Sequence, residues 1–348
     1  VVDLQDPAWF PVTVDAGADQ LGFVHTGRAA LSAAPFLDAR FAPPDAATPV
    51  ALATVRASTD SAAARPVPLV FHTAFCCSTL LASALDRPGT VLSLKEPDLL
   101  MQLANLRRVP GDYARDDRRF AALLQLALAL LGRRFAPDER VLVKPTNAAN
   151  LLMPWALDLG HPALLLHVEL ADFLVSVIKK GEAGRYFVRH LFNILRLDRP
   201  DIDGWPERQR MLLTDLQVAA LVWQMQMDLY LQVLSVPGAL TRVRTLHAAQ
   251  LLSRPRAALE AVDRFFQLGL GARALDDAVA GPTFSRHSKF VDVDYDSTQR
   301  EAERRDVEQV HGKAIAATLK WAEKLGSSEL PSRLAACDVL TADGPAGA

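Results

Sequence analysis

From residue 68 onward the chain alternates short β-rich runs with longer stretches of helical periodicity. No other feature limits its fold as much. The runs fall at Pro68–His72, Thr90–Leu94, Arg140–Lys144, Ala163–Val168 and Leu240–Leu246. Between them lie Ser78–Asp86, Asp98–Arg107, Asp117–Arg134, Ala148–Leu157, Ala171–Lys180 and Glu207–Leu234, with Arg254–Leu268 and Arg300–Leu325 beyond the last run. Strands of about five residues joined by helices predict an α/β fold, a three-layer parallel sheet of about five strands with helices on both faces. Residues 1–65 are rich in Pro and Ala and read as an N-terminal extension packing on the core, with Ala42–Ala64 as a loop. Residues 66–335 then form the α/β domain, and 336–348 read as a flexible tail.

Charge and cysteine content remove several function classes. With 38 Lys and Arg against 40 Asp and Glu, a net charge of -2 argues against holding nucleic acid by bulk charge. Three cysteines, Cys76, Cys77 and Cys337, are too few for a disulfide scaffold or a multi-cysteine zinc module. The longest apolar run, Phe120–Leu131, falls short of the roughly 18 residues of a membrane span and reads as a buried helix. The first residues lack the basic-then-apolar order of a signal peptide, so a cytoplasmic location is expected.

Ligands of open parallel sheets bind beyond the carboxyl ends of the strands, which directs attention to the first strand-to-helix turn. It reads His72-Thr73-Ala74-Phe75-Cys76-Cys77-Ser78-Thr79-Leu80. Small residues lead into a helix opened by two hydroxyls, where backbone N–H groups and the helix dipole favour an anion. The alternative is an ordinary helix cap. The Gly-Lys-Ser/Thr of a Walker A loop is absent. Lys144 closes a strand and Glu96 follows another, so a cation and a candidate general base lie at the same end of the sheet.

Phe75-Cys76-Cys77-Ser78-Thr79-Leu80 resembles the second half of the phosphosulfate loop of the P-loop sulfotransferases, in a divergent form of bacterial type. Four later segments follow that family's order: Leu92–Pro97, Val141–Asn147, Leu164–Ser176 and Thr245–Leu270. The resemblance covers roughly residues 67–295. It implies a P-loop fold and transfer of a sulfuryl group from 3'-phosphoadenosine 5'-phosphosulfate (PAPS) to a hydroxyl or amine of a small-molecule acceptor, with release of 3'-phosphoadenosine 5'-phosphate (PAP). Glu96 then corresponds to a catalytic glutamate, Lys144 to a charge-stabilising lysine, and Lys95 to a substitute for the loop cation. Phe75, Cys76, Cys77, Ser78, Thr79 and Leu80 would cradle the phosphosulfate, Ser176 would contact the 3'-phosphate, and Arg286 and Lys289 would close over the nucleotide. The sequence departs from the family at Phe75 (a cation there), Cys77 (glycine), Thr146 (histidine), Val168 (arginine) and around His247 (an acidic pair).

Lys179, Lys180, Arg185 and Arg189 are further cations near the Ser176 segment, and a solvated helix face accounts for Lys179 and Lys180 equally well. Asp172 reads as a helix cap. His72 reads as a packed core histidine, Cys76 and Cys77 as small loop-lining residues, and Trp223, Met225 and Met227 as core. Two other functions fit the pattern. One is a binding or regulatory protein that kept this fold and lost catalysis; the other is an ATP-dependent phosphotransferase.

Overall fold

The computed structural model describes residues 2–61, 64–285, 297–326 and 329–341. Its centre is a five-stranded, all-parallel sheet of β4 (Leu69–His72), β5 (Val91–Lys95), β6 (Arg140–Lys144), β7 (Ala163–His167) and β8 (Val243–His247). The spatial order is β5-β6-β4-β7-β8. The chain leaves β4 to one side for β5 and β6, then returns to the other side for β7 and β8. The carboxyl end of β4 is therefore the switch point where such sheets open a crevice. The strands β4 to β7 are buried on both faces, as expected for a parallel sheet clad by helices, and the edge strand β8 is partly open at Arg244 and His247.

Alternate residues of these strands feed two cores. Leu69, Phe71, Leu92, Leu94, Val141, Val143 and Leu165 pack with the Asp117–Leu131 helix and the N-terminal segment. Val70, Val91, Leu142, Leu164 and Leu166 pack with the Ser78–Leu85 and Leu170–Lys179 helices on the opposite face. The 20-residue helix Asp215–Leu234 contributes to both.

Three sequence expectations change. The stretch 42–64, read as loop, holds a strand and a helix, and the residues before it hold two more strands. These strands form an antiparallel sheet of β1 (Trp9–Asp15), β2 (Gln20–His25) and β3 (Thr48–Ala51), and Leu52–Ser58 is the helix. Phe10, Val12, Leu21 and Phe23 bury one face of that sheet in the first core. The stretch 207–234 is two helices, because Thr214 caps the second: its hydroxyl accepts the Gln217 N–H while the Gln217 side chain accepts the Thr214 N–H. Such a box stabilises a helix start by about 1 kcal/mol and explains the break. Finally, Cys337 and Val339 exchange backbone hydrogen bonds with Thr245 on β8, so residues 337–339 belong to the sheet edge rather than to a free tail. No helix among the described residues is long and apolar enough to cross a membrane.

Candidate functional site

The turn between β4 and the Ser78–Leu85 helix has an unusual backbone. Ala74, Phe75 and Cys77 have φ of 69°, 53° and 63°, the left-handed region that favours glycine, and Glu96 joins them at 56°. Each such non-glycine residue costs about 1–2 kcal/mol, so the surrounding structure must impose the shape.

Buried amides do so. Asn150 donates to the His72 carbonyl at 3.1 Å, and Gln226 donates to the Thr73 carbonyl at 3.2 Å. The Gln226 side-chain carbonyl accepts from both Asn147 (3.1 Å) and Asn150 (3.3 Å). All three side chains are nearly inaccessible to solvent. The carbonyls entering the loop are thus tied inward. Beyond them, no acceptor among the described residues takes the N–H groups of Phe75, Cys76, Ser78, Thr79 or Leu80. Five donors on one turn, four of them on buried residues, are the kind of donor row that an anion satisfies.

Beside it lies a charged cluster. Lys144, fully buried at the end of β6, donates to Glu96, whose carboxylate keeps about a fifth of its surface open. The Glu96 N–H donates to the Lys144 carbonyl at 2.6 Å, which fixes the turn after β5 against β6. His72 is buried, as a core reading expects, but it is also part of this cluster. Its Nε2 lies 3.3 Å from Lys144 Nζ and 3.8 Å from Glu96, and its Nδ1 accepts the Ala74 N–H at 3.2 Å. Phe36 of the N-terminal segment places its ring 6.0 Å from Lys144 Nζ.

The other candidates fall in different places. Lys95 is buried and donates to the Ser32 carbonyl at 2.6 Å, away from the loop amides, and burial pushes its pKa down. Ser176 is half-buried on the Leu170–Lys179 helix, whose turn at Phe173 touches the loop: Phe75 packs on Phe173 and Phe187, each with ring centroids 5.3 Å apart. Asp172 does not cap its helix; it pairs with Arg304. Val168 is buried, and its carbonyl accepts the Trp223 indole N–H at 2.8 Å, so Trp223 is more than core filling. Arg286 and Lys289 lie outside the described residues. Burial, reinforced by the neighbouring Cys77, raises the Cys76 thiol to about 11, which keeps it protonated and unreactive near neutrality.

Sequence reading missed Asn147, Asn150, Gln226 and the second role of His72. A glutamine within the apolar run Val218–Leu234 was the available signal, because a buried amide needs partners. Two hollows, of about 540 and 640 Å³, lie elsewhere: one between Ile178, Leu216 and Trp321, the other at the amino ends of the strands near Val67, Arg140 and Arg242. Neither is lined by Glu96, Lys144 or the loop. No protein-family model matches the chain, and no curated protein matches it.

Proposed function

We propose that the protein is a P-loop-type sulfotransferase that takes a sulfuryl group from PAPS and passes it to a hydroxyl or amine of a small acceptor. The observation that carries this reading is the row of amides at Phe75, Cys76, Ser78, Thr79 and Leu80, without acceptors among the described residues and next to the Lys144–Glu96 pair. The strand order β5-β6-β4-β7-β8, with the loop on the central strand, fits it.

The residues suit the phosphosulfate end of PAPS: amide donors and the Ser78 and Thr79 hydroxyls face an anion without a competing carboxylate on the loop itself. PAPS would supply the activated sulfuryl group. The amides orient the anion and stabilise charge that builds on it, which is the larger part of catalysis in transfers of this kind. Glu96, the more open member of the cluster, receives the proton of the acceptor hydroxyl. Lys144 holds positive charge beside the reacting groups, and His72 keeps both Lys144 and the Ala74 peptide in place. Ser176, Arg286 and Lys289 remain the proposed contacts to the nucleotide, since Val168 offers no charge.

Titration calorimetry with PAP tests the reading, and saturating PAP should also raise the unfolding temperature. Absence of both effects refutes it. Transfer of labelled sulfuryl groups to a panel of alcohols, phenols and amines then tests catalysis, with Glu96→Gln and Lys144→Met as inactive controls. One observation favours a second reading, a PAP-binding regulatory protein: Glu96 is already engaged by Lys144. Binding of PAP with no transfer to any acceptor, and none of it altered by either substitution, would select that reading.

A further inference from the structure

We propose that Lys180 supplies the cation that the anion-binding loop lacks, reaching it across the ring of Phe75. The inference rests on the loop reading above and deepens it.

An anion seated on the Phe75–Leu80 amides brings concentrated negative charge to a loop whose own side chains are all uncharged. Partial charges of a helix start favour such an anion only modestly, and a fixed cation strengthens the contact. The two strand-end lysines already have acceptors of their own. Lys144 is buried against Glu96, and Lys95 is bound to the Ser32 carbonyl.

Lys180 is differently placed. It sits at the junction of the Leu170–Lys179 and Gly181–Leu195 helices, where Gly181 has φ of 55°. Its Nζ lies 5.8 Å from the centroid of the Phe75 ring. That ring is held by Phe173 and Phe187, so it forms a fixed platform with an ammonium over it. The neighbouring cations already have carboxylate partners: Lys179 pairs with Glu303, Arg185 and Arg189 share Asp215, and Arg304 pairs with Asp172. Lys180 ion-pairs with no carboxylate among the described residues. A lysine's four-carbon stem and rotatable ammonium suit a point contact of this kind. Phe75 therefore does not leave the loop without a cation; it steers one supplied by the junction of the Leu170–Lys179 and Gly181–Leu195 helices.

The test is titration calorimetry of the full chain with PAP and, separately, with inorganic pyrophosphate. Lys180→Ala should weaken both by about tenfold or more, the size expected for a charged hydrogen bond. Lys180→Arg should stay within about threefold of wild type, and so should Lys179→Ala, which removes a neighbouring charge of the same sign. Lys180 is exposed, so its removal should leave the unfolding temperature unchanged. Adding Phe75→Lys to the Lys180→Ala background should recover binding by placing a cation on the loop itself. Wild-type binding of PAP with Lys180→Ala within twofold of it overturns the assignment to Lys180 and leaves the loop reading standing. Failure of the wild type to bind either anion overturns the loop reading, and Lys180 falls with it.

Discussion

Two buried charged clusters in this protein look alike by burial and differ in what surrounds them. At the β5 edge, Arg28 donates to Glu139 at 2.6 Å, to Asp86 at 3.1 Å and to the Val91 carbonyl at 2.7 Å. Asp86 also accepts from Ser32 and from the Ser93 N–H, and Glu139 from the Phe135 N–H. The carboxylates there are matched by donors, and the cluster fastens the Arg28–Ala33 helix to the sheet. At the carboxyl end of β4 and β6, Lys144, Glu96 and His72 are equally close together, but they adjoin strained backbone and amides with no acceptor among the described residues. Burial of charge alone therefore does not mark a site. Unused donors held in place at an energetic cost do.

Substitutions can break this contrast. The largest effect is expected for Arg28→Ala, which removes the salt-bridge partner of Asp86 and of the inaccessible Glu139. Stability should fall by about 3–5 kcal/mol in denaturant unfolding, with PAP affinity of the folded protein unchanged. A loss under about 1 kcal/mol would show that the cluster is not a staple. The double variant Lys144→Met with Glu96→Gln should do the opposite: under the proposed function, sulfuryl transfer falls by at least about 100-fold. Its stability should stay level or rise, because removing both members of a buried ion pair leaves no uncompensated charge. Clear destabilisation would reassign that cluster to structure.

A third test uses pH. Burial, with the neighbouring His247 adding to it, pushes His167 down to about 3. The unfolded chain binds a proton near pH 6.5 that the folded one refuses until near pH 3. The stability from this neutral histidine is therefore present above 6.5 and lost as pH falls from there toward 3. The slope is at most about 1.4 kcal/mol per pH unit. His167→Gln should flatten that part of the stability–pH curve, and an unchanged slope would count against it. The smallest effect belongs to Cys77→Gly, which relieves a left-handed residue and should add up to about 1 kcal/mol in thermal unfolding.

How much of this was legible depended on how local the signal was. The central strands could be read because each is a short, continuous apolar run between helical stretches, and a parallel sheet needs such runs. β1 and β2 could not, since Pro11 and Gly22 interrupt their alternation and their pairing is a tertiary fact. Small residues before Ser78 and Thr79 pointed to the loop. Its shape could not be read, because nothing local in Ala74 or Phe75 announces a positive φ; Asn150 and Gln226, distant in sequence, enforce it. Lys95 and Lys144 looked equivalent as strand-end lysines in register with each other. Only the N-terminal segment, which draws Lys95 to Ser32, separates them.

The edges of the central sheet carry a consequence for how the chain is made. The β5 edge is covered from the amino-terminal side, where Arg28 binds the Val91 carbonyl and the Leu37 N–H donates to the Lys95 carbonyl. The β8 edge is covered from the other end, by Cys337 and Val339. During synthesis the first cover must wait for β5, and the second arrives only with Cys337, about 90 residues after β8 has been made. At about 5–20 residues per second, β8 stays open for several seconds after it is made, time in which it can pair with another nascent chain. Truncation before residue 337 would make that exposure permanent, so a shortened chain should be found in aggregates rather than in the soluble fraction.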